Sequence, residues 1–99
     1  MSLPEIKNIV LIEKEKISEL KFPAEEVLKT KEEISQRRSD LEKATTLGNA
    51  HRGKIKIIFE DSEGLKKVDT TIWATTEKNI ILKQGVTIPI CRIHQVRFI

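Results

Sequence analysis

The sequence predicts an α+β fold in which two N-terminal helices precede a small, five-stranded antiparallel β-barrel. Two patterns support this prediction. Up to Leu47 apolar residues recur at helical spacing between charged stretches, whereas after Gly53 they alternate with polar residues. The second region also holds short runs rich in β-branched residues, separated by turn-forming residues. The change of period divides the chain into a helical region, residues 1–47, and a β region, residues 48–99.

The first predicted helix covers residues 5–20. Pro4 suits its first turn, and one face carries a stripe that is apolar except at Glu13. The stripe consists of Ile6, Ile9, Val10, Glu13, Ile17 and Leu20. Leu11 and Ile12 fall outside it, so a short strand at residues 8–12 is the alternative interpretation.

The second predicted helix covers residues 24–47. Pro23 favours a helix start, and the helix is expected to end at Gly48-Asn49, residues that tolerate a left-handed backbone. The exposed faces are strongly charged, and the apolar seam is narrow: it consists of Val27, Ile34 and Leu41, seven residues apart. This seam fits either one packed face within the chain or contact with a partner helix or a second copy.

The five strands are predicted at residues 54–60, 65–75, 80–83, 86–91 and 96–99. Polar turns, a tight turn at Gln84-Gly85 and a short link at residues 92–95 connect them. Pro89 lacks the backbone N–H that a strand ladder needs, so its strand is expected at a sheet edge or with a bulge there. Five short antiparallel strands in about fifty residues predict a small, bent barrel.

Within residues 48–99 this order resembles an SH3-like barrel, and in particular the Sm-like arrangement. "EKNIILK" resembles the Sm-type segment that leads into the third strand, and "VTIPICRIHQVRFI" resembles the fourth strand, a one-turn link and the fifth strand. The resemblance implies RNA or single-strand binding. The sequence departs from it by having no Gly in "VDTTIWATT" and by its long charged helix. The whole pattern also resembles short bacterial proteins of unknown function, which implies no activity.

Charge is distributed unevenly along the chain. Residues 1–47 hold nine Lys/Arg against ten Asp/Glu, a net of −1, whereas residues 48–99 hold nine against five, a net of +4. The β region can therefore bind an anionic partner, although this excess does not demand one. The single cysteine, Cys91, fits a reducing compartment, and "NIVLI" is too short for a signal peptide or a membrane span. We therefore expect a cytoplasmic protein that does not contact membrane.

No motif predicts catalysis or a cofactor. Cys91 and His94 have the spacing of half a zinc site, with His51 as a third candidate, but no second pair completes the set. The sequence has no nucleophile elbow, P-loop, dinucleotide-binding or HExxH motif. We therefore expect no enzyme, no metal, no cofactor and no small-molecule substrate.

Trp73, the only Trp, and the basic residues of the β region are the candidate binding surface. It consists of Lys54, Lys56, Lys67, Trp73, Arg92 and Arg97. Trp73 is either a stacking platform or anchor, or is packed under the N-terminal helix, and packing is the favoured interpretation. The basic residues either contact phosphates or are solvated charges of strand faces and edges.

The sequence thus predicts a non-enzymatic module that binds a protein partner or a second copy of itself. The basis is the narrow helical seam, the small core and the lack of catalytic motifs. The alternative is an Sm/SH3-like module that binds RNA or another single-stranded nucleic acid. The exposure of Trp73 is the observation that separates the two best.

Overall fold

The computed structural model describes residues 9–51 and 54–98, and confirms the α+β class. Within these residues one long helix, α1, spans Lys31–His51. Seven strands accompany it: β1 (Val10–Leu11), β2 (Ile55–Asp61), β3 (Gly64–Thr70), β4 (Ile72–Thr75), β5 (Asn79–Leu82), β6 (Thr87–Pro89) and β7 (Ile93–Phe98). Short 3₁₀ helices cover Lys14–Glu19, Lys83–Gly85 and Ile90–Arg92. No helix in this described part is long and apolar enough to cross a membrane.

The first predicted helix, residues 5–20, is wrong at Val10–Leu11, where the alternative strand is confirmed as β1, and only the short 3₁₀ helix Lys14–Glu19 is present in its described part. β1 runs parallel to β3, and the backbone N–H of Ile12 donates to the Lys67 carbonyl at 2.9 Å. Pairing with β3 gives the backbone N–H and C=O groups of β1 hydrogen-bond partners, whereas an isolated helix of this length is only marginally stable in water. The chain then turns through Lys14–Glu19, where Ile17 is buried. Residues 5–8 lie outside the described residues.

The second predicted helix is present, but it spans Lys31–His51 instead of residues 24–47. Its start is fixed by Thr30 and Glu33: the Glu33 N–H donates to the Thr30 hydroxyl, and the Glu33 carboxylate accepts from the Thr30 N–H, both at 3.1 Å. This reciprocal pair is a capping box. Before it, the Val27 N–H donates to the Cys91 carbonyl at 2.9 Å, which holds that segment beside the β region.

The strands form two sheets. One has the order β1-β3-β2-β7 and the other the order β4-β5-β6. The predicted strand 65–75 is interrupted at Thr71, so that β3 belongs to the first sheet and β4 to the second. The Lys83 N–H donates to the Thr71 carbonyl at 3.1 Å at this bend. The bend therefore joins the two sheets and the end of β5.

The tight turn and the edge strand predicted for the second sheet are confirmed, whereas the predicted link before the last strand is wrong. Gln84 and Gly85 have φ angles of 71° and 83°, which confirms the predicted tight turn. Pro89 lies on β6, an outer strand of its sheet, as its missing N–H predicts. The predicted link at residues 92–95 is wrong, because the 3₁₀ turn lies at Ile90–Arg92 and β7 already begins at Ile93.

The core combines the helix with both sheets. The helix contributes Leu41 and Ala44, and the sheets with the 3₁₀ turn before β7 contribute a set of buried aliphatic residues and one ring. These are Ile55, Ile57, Phe59, Val68, Ile72, Ile80, Leu82, Ile88, Ile90, Ile93 and Val96. Of the apolar seam of the second predicted helix, Leu41 therefore packs inside the chain, together with Ala44 of the same helix.

Candidate nucleic-acid interface

Trp73 lies on the outer face of β4 with 49% of its surface exposed. The favoured prediction, that it packs under the helix, is wrong. Strand alternation explains its position, because Ile72 is buried in the core and Trp73 must then point away from it. The helix contacts the same strand elsewhere: the hydroxyls of Thr45 and Thr75 are 2.6 Å apart. α1 therefore lies beside the indole and leaves it accessible.

The exposed indole lines a concavity of about 480 Å³. We call it the Trp73 site; it is lined by Gly48, Asn49, Lys54, Thr71, Trp73 and Lys83. Apart from the indole, its walls consist of backbone, amide, hydroxyl and ammonium-bearing side chains, and no carboxylate is among the described residues that line it. Within residues 9–51 and 54–98, neither Lys54 nor Lys83 forms a salt bridge. Both charges are therefore open to an anion.

Thr71 brings the two lysines to the indole. The β2–β3 ladder begins with Ile55 opposite Thr70, so Lys54 lies next to the bend that follows β3. On the other side, the Lys83 N–H bonds to the Thr71 carbonyl at 3.1 Å. Trp73 follows two residues after the bend. The interruption at Thr71 thus gathers residues from three separate strand ends.

Gly48 allows the helix to form the remaining wall. A Cβ on Gly48 would lie 2.7 Å from the Ile72 carbonyl oxygen and 2.8 Å from Thr71 Cγ2, closer than real Cβ atoms approach. The last turn of α1 can therefore touch the bend only because residue 48 has no side chain. This close approach places Asn49 at the rim of the Trp73 site.

The other predicted basic residues, apart from Arg92, share one face of the four-stranded sheet. Lys56 is opposite Arg97 on β7 and opposite Asp69 on β3, and its ammonium lies 3.5 Å from the Asp69 carboxylate. The alternation of side chains puts Lys54 on the same face as Lys56, and Lys67 on the same face as Asp69. Arg97 is exposed, and its Nε donates to Gln95 Oε1 at 3.1 Å.

Arg92 does not belong to this surface, and its prediction as a surface residue is wrong. It is 6% exposed because its 3₁₀ turn directs the guanidinium inward between two segments. Nε donates to the Glu60 carbonyl at 3.0 Å and Nη1 to the Glu25 carbonyl at 2.8 Å. Arg92 therefore ties the segment before α1 to β2, which is a structural role.

Comparison of the chain with family models, with curated proteins and with solved structures found no match. The function is therefore inferred from the site itself.

Cys91 and His94, whose spacing matches half a zinc site, have other contacts. Cys91 Sγ lies 3.7 Å from the Ala24 carbonyl oxygen, and His94 Nε2 lies 2.8 Å from a Glu60 carboxylate oxygen. Among the described residues no group of three or more His, Cys, Asp or Glu side chains is placed to hold a metal ion. The side chain of His51 lies outside the described residues.

A larger cavity, of about 630 Å³, lies between the segment that precedes α1, the first half of α1 and β6. Three of the charged side chains that line it, Glu26, Arg37 and Arg38, are already engaged. Arg37 donates to both Glu26 carboxylate oxygens, at 2.6 and 2.5 Å, and to the Ile93 carbonyl at 3.0 Å. Arg38 donates to the Thr76 and Glu77 carbonyls at 3.0 and 2.9 Å. These contacts attach α1 to the β region, so we assign the cavity walls a structural role.

The Glu26 pKa is lowered from 4.5 by this environment. Burial acts in the opposite direction and raises it, but the hydrogen bonds from Arg37 and from the Leu28 N–H outweigh burial. Glu26 is therefore ionised at neutral pH and pairs with a buried guanidinium.

The sequence did not identify Lys83 or Asn49 as candidates. Asn49 was expected only to help end the helix, and Lys83 only to end a strand. Their proximity to Trp73 depends on the bend at Thr71 and on the close approach of Gly48, which are tertiary contacts. One local signal was present: Lys83 directly follows the buried Leu82, next to the Gln84-Gly85 turn, where a charged side chain must face solvent.

Proposed function

We propose that this chain is a non-enzymatic module that binds single-stranded nucleic acid at the Trp73 site. One observation carries the proposal: a half-exposed indole lines the same concavity as two lysines that have no salt bridge within the described residues. Proteins that bind single strands stack bases on aromatic side chains and contact the phosphates with basic residues. The Trp73 site offers both kinds of group in one concavity.

The walls of the site favour a nucleic acid over a protein partner. Anchors of protein interfaces insert into apolar, desolvated pockets from which Lys is depleted. The indole of Trp73 instead has Lys54, Lys83, Asn49 and Thr71 around it. Burying two ammonium groups against an apolar partner is unfavourable, whereas phosphates neutralise them and release counterions.

We also propose that the two sheets form one small SH3-like barrel with the Sm-like strand order. Three features support it: β2 pairs with both β3 and β7, the chain bends from the first sheet into the second at Thr71, and a 3₁₀ turn precedes β7. Residues of both sheets share one core. In such a barrel the Trp73 site lies at the bend, where the second strand passes from one sheet to the other.

Binding of labelled oligonucleotides tests the proposed function. Fluorescence anisotropy with 5′-fluorescein dT10 and rU10 is expected to show saturable binding at low salt. Trp73→Ala is expected to cost about 1–3 kcal/mol, because it removes one stacked base. The double variant Lys54→Gln/Lys83→Gln is expected to reduce the slope of log K against log [salt] by about 1.4, at roughly 0.7 for each phosphate contact of a single strand.

Lys31→Gln is the matched control for the lysine variants. Lys31 is exposed at the opposite end of α1 from Gly48, about 25 Å away at 1.5 Å per residue. This variant is expected to bind as wild type does. No binding of either oligonucleotide at low salt would refute the proposal, as would an equal loss in the Lys31 and the Lys54/Lys83 variants.

A protein partner or a second copy remains the second candidate function, supported by a different surface. Val10 and Leu11 are 54% and 60% exposed on β1, an outer strand of the four-stranded sheet. Unpaired strand edges with apolar side chains are sites where another chain adds. Light scattering that shows a dimer in wild type and a monomer in Leu11→Lys would support self-association there. A monomeric wild type would leave only a different protein as partner.

A further inference from the structure

Two cations face each other on the sheet beside the Trp73 site. Lys56 and Arg97 are direct cross-strand neighbours on β2 and β7. Like charges in this position destabilise a sheet. Lys56 is partly neutralised by Asp69, whereas Arg97 forms no salt bridge among the described residues. The charge of Arg97 is thus left available on an exposed strand.

We propose that a bound single strand continues from the Trp73 site across Lys54 to Arg97, so that the ligand is an oligonucleotide of several nucleotides. This inference rests on the proposed function and adds a third phosphate contact to those of Lys54 and Lys83. It names Arg97 as that contact, and it gives the bound strand a direction across the sheet.

The spacing of the residues allows this path. Lys54 and Lys56 lie two residues apart on one face of the strand, about 7 Å, and Arg97 lies opposite Lys56 at about 5 Å. Lys83 and Lys54 line the Trp73 site, and from Lys54 the cations continue through Lys56 to Arg97 on β7. A chain with phosphates at each nucleotide can follow that line with one base stacked on Trp73.

Asp69 determines on which side of Lys56 the bound nucleic-acid strand runs. Asp69 is exposed on β3, on the other side of Lys56 from Arg97. Its carboxylate repels a phosphate, and it also draws the Lys56 ammonium toward β3. The bound strand is therefore directed over β7. Lys67, which lies on β3 beyond Asp69, is off this path.

A length series tests this inference separately from the proposed function. Anisotropy is measured with labelled dT2, dT4 and dT10 on wild type, Arg97→Gln and the control Lys67→Gln, each checked for folding by circular dichroism. We expect wild type to bind dT10 more tightly than dT2. Arg97→Gln is expected to weaken dT10 alone and to lower its salt slope by about 0.7, and Lys67→Gln to change neither. Asp69→Asn is expected to tighten binding of dT10.

The outcomes distinguish the two claims. Binding of all three lengths with equal affinity, or an equal effect of Arg97→Gln and Lys67→Gln, would overturn the path across β7 and leave the Trp73 site in place. No binding of any length would overturn the proposed function itself.

Discussion

Substitution of Gly48 by Ala tests the contact that shapes the Trp73 site. Gly48 lies in the last turn of α1, where Ala is the better helix former by about 1 kcal/mol. Judged by the helix alone, the substitution stabilises the protein. The added methyl group would, however, lie 2.7 Å from the Ile72 carbonyl oxygen and 2.8 Å from Thr71 Cγ2.

The clash is expected to outweigh the helix propensity. One of the two close atoms belongs to the backbone of a buried residue, which cannot rotate away, so either the helix end or the bend must shift. Overpacking of this kind costs about 1–3 kcal/mol. The net effect is then a loss of up to about 2 kcal/mol. For a domain of this size, 1 kcal/mol corresponds to a fall in Tm of about 4–8 °C.

Thermal unfolding followed by circular dichroism measures the effect. Ala50→Gly is the control: Ala50 is exposed in the same turn, so this variant reports helix propensity alone and is expected to lose up to about 1 kcal/mol. The emission of Trp73, the only Trp, is a second readout, because a displaced helix end changes its surroundings. A Gly48→Ala protein that melts above wild type, with unchanged emission, would refute the close-contact argument.

Three further predictions concern contacts that hold the chain together. Thr30→Ala removes the N-cap of α1 and is expected to lower the free energy of unfolding in urea by about 1 kcal/mol. Arg92→Met leaves the Glu60 and Glu25 carbonyls without their buried donor and is expected to cost about 1–3 kcal/mol in the same assay. Because the Glu26 pKa is lowered from 4.5 in the folded chain, its contribution to stability is complete above that pH and is lost as the pH falls through the folded value. As the pH falls through the acid range, the free energy of unfolding should therefore decrease less steeply in Glu26→Gln than in wild type. Equal slopes would contradict the stabilising role of the ionised Glu26.

Periodicity and turn chemistry predicted much of the β region. The alternation in residues 54–60 corresponds to β2, and the Gln84-Gly85 turn and the outer position of the Pro89 strand follow from local backbone chemistry. These features depend on residues close in sequence, which is why a single sequence shows them. The start of the second helix was predicted at the wrong residue because two local signals compete there. Pro23 favours a helix start, but the Thr30–Glu33 capping box is the stronger signal.

The N-terminal region and the position of Trp73 depend on long-range pairing. The stripe through Val10 and Ile17 has helical spacing, yet β1 pairs with a strand more than fifty residues later in the chain. Likewise, nothing local shows whether a helix covers Trp73 or lies beside it. That choice is made by the Gly48 contact and by the Thr45–Thr75 hydrogen bond, each of which joins α1 to the bend or to β4.

The exposure of Trp73 is therefore a consequence of how α1 is fixed, and this bears on function. Gly48 brings the helix end down onto the bend, and the same contact that leaves the indole uncovered places Asn49 and the two lysines around it. A larger residue at position 48 would lift the helix and open the concavity. Stability and binding are thus coupled through one residue that offers the ligand no side chain. If the Trp73 site binds single strands, Gly48→Ala should weaken dT10 binding while Ala50→Gly should not, even under conditions where both proteins are fully folded.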